Sequence, residues 1–320
     1  VYPEPRFGDE EFLASLQNAA GAVIAQVPVL SKHIDGSSSG FMTHALEGVS
    51  CAEGLTGIKL ASAGTYLGAA KNFKAVPKGH NAALIDSDGA VRRSPAVVCV
   101  DDAVYPALSI AAFLQLSSSG EWRGEITPGS TLTGPESTLT LPGYPGFEIP
   151  VDSNGVMRIS FAKAPLAFQA LSAADVINNR IDPSILKNAW VIVGGTAFGM
   201  GDIVPTPYSG AAFGVELQAR LLTSMLDMSM PYPPLGAPLL LLLTGLMFAA
   251  VLYLVASRGD RVTAVCLPAA ALILPAIAAS MHAWALVASN MWLGWMAPAI
   301  FGLFGASGLL LLELGRVRLE

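Results

Sequence analysis

The sequence predicts a mixed α/β domain outside the cytoplasm, followed by three transmembrane α-helices. Three observations carry this. Strand-type and helix-type patterns alternate up to about residue 233, the usual sequence mark of an α/β domain. Beyond it lie three long, nearly uncharged apolar runs. Over 320 residues, 52% are hydrophobic and only 13% charged, with a mean hydropathy of +0.53. That charged fraction is about half the roughly 25% of soluble domains.

The runs are 238–256 (PLLLLLTGLMFAAVLYLVA), 262–281 (VTAVCLPAAALILPAIAASM) and about 291–312 (MWLGWMAPAIFGLFGASGLLLL). Each is long enough at 1.5 Å per residue to approach the roughly 30 Å of a bilayer core. None shows the polar face of a soluble amphipathic helix. Pro268 and Pro275 predict a kinked second span. Arg258 and Arg261 follow the first run, Arg316 and Arg318 follow the third, and the link between runs two and three has no Lys or Arg. The positive-inside rule then places the Arg258/Arg261 loop and the C-terminus in the cytoplasm and residues 1–233 outside. Tyr232, Trp284, Trp292 and Trp295 fall near the outer boundary, as an interfacial aromatic belt requires. The expected division is 1–233 and 234–320. A domain of that size crosses a membrane only with an export signal or a preceding helix, and VYPEPRFG provides neither, so the chain reads as a piece of a larger protein.

In the outer part, DEEFLASLQNA from Asp9 reads as an amphipathic helix and Ala22–Leu30 as a strand. Ser87-Asp88-Gly89 marks a hairpin turn between AALI and AVRRSPAVVCV. Ala107–Leu116 reads as a helix, and the proline-rich 117–152 as loops around short strands. Ser172 and Asp175 fit a capping box before DVINNRI. Trp190–Gly194 (WVIVG) has the composition of a buried strand. Gly214–Met228 is the clearest amphipathic helix, continuing loosely towards the first span until the prolines of MPYPP interrupt it.

Several function classes are disfavoured. A formal charge of −6 argues against a nucleic-acid partner, which needs clustered Lys and Arg. The four histidines, His33, His44, His80 and His282, form no HExxH and no close Cys/His set, so no metal site is expected. Ser37-Ser38-Ser39-Gly40 lacks the GxSxG elbow. Val193–Asp202 (VGGTAFGMGD) fits neither GxGxxG nor GxxxxGK[ST], so no nucleotide cofactor is expected, and its glycines read as turn and packing residues. The spans carry no Lys, Arg, Asp or Glu near mid-membrane, against a transporter's translocation site. Cys51 and Cys99 share the outer, oxidising side and form either a disulfide or two buried thiols. Cys266 lies in a span.

Two segments taken together carry a family resemblance. Pro77–Val98 (PKGHNAALIDSDGAVRRSPAVV) is followed by Val104–Ala112. Trp190–Pro207 (WVIVGGTAFGMGDIVPTP) is followed by GVELQARLLTSML and the three apolar runs. This arrangement resembles the CHASE2 family of bacterial extracellular sensor domains. The matching residues are Gly79, His80, Asp86, Asp88, Gly89, Arg92 and Arg93, then Gly194, Ala197, Asp202, Thr206, Pro207, Gly214 and Glu216. The Gly79-His80-Asn81 spacing is one residue tighter than the family's pattern.

The resemblance implies a non-enzymatic receptor module in the bacterial cytoplasmic membrane. Its ligand would be a small molecule or peptide, it would work as a homodimer, and it would control a cytoplasmic nucleotide cyclase or protein kinase. It also implies that a helix and a strand precede this segment. The alternatives from other classes are a membrane-tethered extracytoplasmic enzyme and a binding protein without a covalent output domain.

The candidate ligand-binding residues are His80, Arg92, Arg93 and Asp202. Adjacent arginines offer forked, charged donors to an anion. On the other reading, Asp88 and Arg92 stabilise the hairpin and Asp202 caps the loop after WVIVGG. Strand alternation sends Arg92 and Arg93 to opposite faces, so at most one is expected at any shared pocket. Gly302 and Ala306 fit the small-xxx-small pattern, serving either a dimer contact or packing among the spans.

Overall fold

The computed structural model describes residues 4–19, 21–30, 37–52, 57–116, 120–164, 167–196, 202–258 and 260–317. His33, Ala197 and Arg318 fall outside them. The chain divides into two compact units. One comprises Val1–Pro128 and Ser137–Met230, the other Gly129–Glu136 and Pro231–Glu320.

The first unit opens with α1 (Asp9–Asn18), whose Asp9, Glu10 and Glu11 lie in the first turn, where the helix dipole favours negative charge. Strand β1 (Ile24–Val29) follows, then β2 (Ala61–Ser62), β3 (Thr65–Leu67) and β4 (Lys78–His80). β1 pairs parallel with β4, Gln26 opposite His80, and antiparallel with β3. Strands β5 (Leu84–Ile85) and β6 (Val91–Pro95) form the hairpin expected around Ser87-Asp88-Gly89. Gly89 takes φ 84° there, a conformation that favours glycine. Strand β7 (Val97–Val100), between β2 and β8 (Ala103–Pro106), is buried at every position, because Val97 and Cys99 face the main core and Val98 and Val100 a second apolar cluster. Helix α2 (Leu108–Leu116) lies against β4 at Gly79, where an added Cβ would come within 2.5 Å of the Leu108 Cα.

Strands β9 (Glu125–Pro128), β10 (Ser137–Thr140) and β11 (Glu148–Val151) form a three-stranded antiparallel sheet, and Leu139 and Ile149 sit fully inside the core. Strand β12 (Val156–Arg158) adds to β6. After α3 (Ala173–Ile177), strands β13 (Ile203–Val204) and β14 (Ala212–Phe213) pair just before α4 (Gly214–Leu226). Leu217, Leu221, Leu222 and Met225 on one face of α4 pack into the main core, as its period predicts.

Three expectations are corrected. Trp190–Gly194 forms no strand: its residues lie outside any ladder, and Trp190, Val191 and Val193 are exposed. Ser172 makes no side-chain capping bond: the Asp175 N–H donates to the Ser172 carbonyl instead, and the Asp175 carboxylate is held by Arg180. α4 ends at Leu226, and no helix runs on to the first span.

The second unit contains α5 (Ala237–Ala256), α6 (Asp260–Ser289) and α7 (Met296–Val317). All three are long and apolar enough to span a membrane. α6 runs on as helix through Pro268 and Pro275. Their core contains Phe248, Leu252, Leu267, Leu274, Ala299 and Ala306, while most of the large apolar side chains point outward, the inverse of a soluble bundle and the arrangement lipid permits. A Cβ on Gly302 would stand 2.8 Å from the Leu274 Cβ, and Ala306 is fully buried. The small-xxx-small face of α7 is therefore occupied by packing among the spans.

Candidate functional site

The hairpin turn at 86–89 gathers four charges. The Asp86 N–H donates to the Ala90 carbonyl at 2.9 Å, and the Gly89 N–H returns to the Asp86 carbonyl at 2.9 Å. Arg92 then grips Asp88 in a fork, Nη1 to Oδ1 at 2.8 Å and Nη2 to Oδ2 at 2.7 Å, with a further bond to Asp86 Oδ2 at 3.2 Å. Arg93 reaches the other Asp86 oxygen through Nε at 2.7 Å and Nη2 at 2.6 Å. The hydrogen bonds from Arg92 and the Ala90 N–H lower the Asp88 carboxyl to about 2.

Both arginines therefore meet one carboxylate, against the expectation from strand alternation. Asp86 stands just past a register shift between Leu84 and Ile85. Beyond that irregularity, the two guanidinium groups converge on its carboxylate. The cluster is charge-balanced, as the hairpin-stabilising reading requires. Its arginines nonetheless keep about a third of their side-chain surface open, 30% and 33%.

His80 lies elsewhere, 1% exposed in β4, and among the described residues shares no hydrogen bond with Arg92, Arg93 or Asp202. Its Nδ1 accepts from the Ala82 N–H at 3.2 Å, while Nε2 has no hydrogen-bond partner among the described residues. Burial pushes the ring down to about 3, so it is held neutral. Across the ladder, Gln26 is fully buried. Its Oε1 accepts from the Thr43 N–H, and its Nε2 is likewise unpartnered.

On the same strand Lys78 is fully buried. Its Nζ donates to Thr43 Oγ1 and the Phe73 carbonyl at 2.6 Å each, and to the Val76 carbonyl at 2.9 Å. No carboxylate pairs with it among the described residues, and burial lowers its ammonium to about 8. His44, at φ 65°, contacts Thr43 Oγ1 at 3.0 Å. It is pushed down by burial and by the Lys78 charge. Sequence reading named His80 but missed Gln26, Thr43 and Lys78. The signal for Lys78 was its place two residues before His80, which puts both on one face of a strand.

Asp202 is exposed and serves the start of α4. Its carbonyl accepts from the Gly214 N–H at 2.7 Å, and a Cβ on Gly214 would meet its Oδ2 at 2.6 Å. Glycine there allows the carboxylate to sit close to the positive end of the helix. Thr206 closes a turn with Ser209, and the Val91 N–H donates to the Pro205 carbonyl at 2.7 Å, tying this loop to β6.

A groove of about 970 Å³ also opens in this unit, walled by Phe12, Leu16, Ile24, Leu108, Trp190 and Val193. Cys51 and Cys99 are joined in a disulfide. Among the described residues no three His, Cys, Asp or Glu side chains are grouped to hold a metal ion.

No curated protein matches the chain. No solved structure matches it either. The family model of the CHASE2 domain matches residues 1–253, from the first unit into the first apolar helix, and the chain belongs to that sensor-domain family.

Proposed function

We propose that this chain is the sensing and signal-transmitting part of a bacterial receptor, controlling a cytoplasmic nucleotide cyclase or protein kinase that lies outside it. The observation that carries this reading is the covalent order: a sensor-family domain leads directly into three helices long and apolar enough to cross a membrane. Arg258, Arg261, Arg316 and Arg318 orient the helices, leaving residues 1–233 on the extracytoplasmic face of the inner membrane. The stimulus is a small molecule or peptide, and the receptor works as a homodimer.

Of the four ligand-contact candidates, solvent reaches Arg92, Arg93 and Asp202, and the two arginines are the ones that offer forked cationic donors. A ligand carboxylate or phosphate would compete with Asp86 for their forks. Asp202 would act through the start of α4, and His80, buried in β4, only after the residues that cover it moved aside.

The test is to express the complete reading frame containing this segment and assay its output. A cyclase or kinase domain after Glu320, whose activity changes on Arg92→Gln with Arg93→Gln, is the expected result. A reading frame that ends at Glu320 would reject the covalent output and favour a binding protein.

A further inference from the structure

The chain passes between its two compact units at three places, not one: Pro128–Gly129, Glu136–Ser137 and Met230–Pro231. The tip of the β9–β10 hairpin, Gly129–Glu136, belongs with the membrane helices. Its bonds there are specific. The Leu235 N–H donates to the Gly134 carbonyl and the Gly236 N–H to the Leu132 carbonyl, both at 2.8 Å. Pro135 pairs antiparallel with Pro234, and the Tyr232 hydroxyl donates to the Thr133 carbonyl at 3.3 Å. Gly236 cannot carry a side chain, because a Cβ would stand 2.8 Å from the Leu132 carbonyl oxygen.

The segment so gripped, Pro231–Gly236, leads straight into α5. Its other side is bonded too. The Tyr232 N–H donates to the Asn290 carbonyl at 2.9 Å, and the Trp292 N–H to the Tyr232 carbonyl at 2.7 Å, a parallel bridge of Tyr232 with Met291. Residues 290–292 join α6 to α7. One extended segment thus sits between the hairpin tip and the α6–α7 link, and its bonds reach all three spans.

We infer that Gly129–Glu136 is a transmission clasp, which carries movement of the β9–β10 hairpin to the start of the first span and, through Tyr232, to the link between the second and third. This rests on the reading of the chain as a transmembrane receptor. It gives the signal a route separate from the Met230–Pro231 connection that follows α4. The hairpin end is firm: β9 and β10 are in continuous register from Glu125↔Thr140 to Pro128↔Ser137, with Leu139 fully buried. A shift of that ladder has little slack to lose before it reaches Gly129.

The experiment is hydrogen exchange on residues 1–320 in nanodiscs of phosphatidylethanolamine and phosphatidylglycerol, comparing two backgrounds. One is the native loop. In the other, Ser130–Pro135 is replaced by Asn-Gly, a two-residue turn that keeps the hairpin closed. Into each, Leu139→Ala is introduced to loosen β10. In the native background the Tyr232 and Trp292 amides should exchange roughly three- to tenfold faster on Leu139→Ala, as expected for weakened local protection. In the shortened background they should not respond.

Unchanged amides in the native background, or an equal response in both, overturns the clasp. If Leu139→Ala prevents folding, Ile126→Val in β9 makes the same comparison with the loss of one methylene. Neither stimulus nor output enters the measurement, so its failure leaves the receptor reading standing, and a missing output domain would leave the clasp standing.

Discussion

Arg220 and Glu216, one turn apart on α4, form a fork in which Nε and Nη2 both reach Oε1, at 3.0 and 2.8 Å. Arg220 is only 2% exposed. Its Nη1 donates to the Lys163 carbonyl at 2.8 Å, and the guanidinium lies over the rings of Phe161, Phe168 and Tyr208 at 5.1 to 5.3 Å. Burying a cation is costly unless it is paired or hydrogen-bonded, and here three aromatic faces add cation–π attraction. Arg220 thereby pins α4 to the 161–168 segment and to the loop bearing Tyr208.

Removing it leaves a partly buried carboxylate unpaired and opens space between three rings. Arg220→Ala should cost about 3–5 kcal/mol of domain stability, measured by urea unfolding. Arg220→Lys keeps the charge but loses the fork and the stacking, and should recover less than half of that. A loss below about 1 kcal/mol for Arg220→Ala would show the pair to be peripheral.

A second prediction concerns acid. The buried His80 titrates at about 3 in the folded protein against an ordinary value of 6.5. Between those two values the unfolded chain binds a proton that the native state refuses. The contribution is constant above pH 6.5, and stability falls as pH drops from 6.5 towards 3, by up to about 1.4 kcal/mol per pH unit for one proton. Lys78, lowered from 10.5 to about 8, works in the same sense higher up, stability rising with pH between 8 and 10.5. His80→Gln should flatten the acid limb relative to the parent, whatever it does to stability at pH 7. Parallel stability curves for parent and variant between pH 6.5 and 4 would remove His80 as their cause.

These residues also show what the sequence made legible. Periodicity located α2, α4 and the three spans because each presents a continuous apolar stripe or surface, whereas AVRRSPAVVCV, read as one hairpin arm, divides into β6 and β7. The hairpin followed from Ser87-Asp88-Gly89. Other features depended on partners that are distant in the chain. Lys78 is buried because backbone carbonyls from Phe73 to Val76 curl around its ammonium, which no local pattern reveals. The convergence of Arg92 and Arg93 on Asp86 needed the register shift in β5. WVIV has the composition of a central strand, yet composition cannot supply the neighbours that make a strand.

That mismatch carries a third prediction. Trp190–Val193 form no backbone hydrogen bond among the described residues, and they flank the apolar groove together with Ile24 and Ala25. At Ile24–Gln26, β1 pairs only with β4, since β3 takes up residues from Val27 onward. Two unpaired apolar edges across one groove are a template for added strand. We propose that the strand which the family resemblance implies ahead of this segment fills it. In a protein carrying that preceding sequence, the Val191, Ile192 and Val193 amides should exchange about 100-fold more slowly than in residues 1–320 alone. Equal rates would leave the groove open and reject the added strand.

The last prediction separates packing within the spans from association between receptors. Gly302 has the Leu274 Cβ 2.8 Å and the Phe248 Cδ2 3.3 Å from where its own Cβ would be, so Gly302→Leu must push α7 away from α6. Overpacking of that kind costs about 1–3 kcal/mol and should appear as a lower thermal midpoint of the three-helix unit in detergent. Gly308, six residues on and on a different face, has open space where its Cβ would be, and Gly308→Leu should leave that midpoint unchanged. In a membrane self-association assay the order reverses. The Gly302 face is already covered by Leu274 and Phe248, so a contact between copies must use an outward face such as that of Gly308. Gly302→Leu should therefore weaken the unit without selectively abolishing association, and Gly308→Leu is the change that can alter association alone. If Gly302→Leu abolished association while the thermal midpoint stayed put, the α7 face assigned to internal packing would instead be the contact between copies.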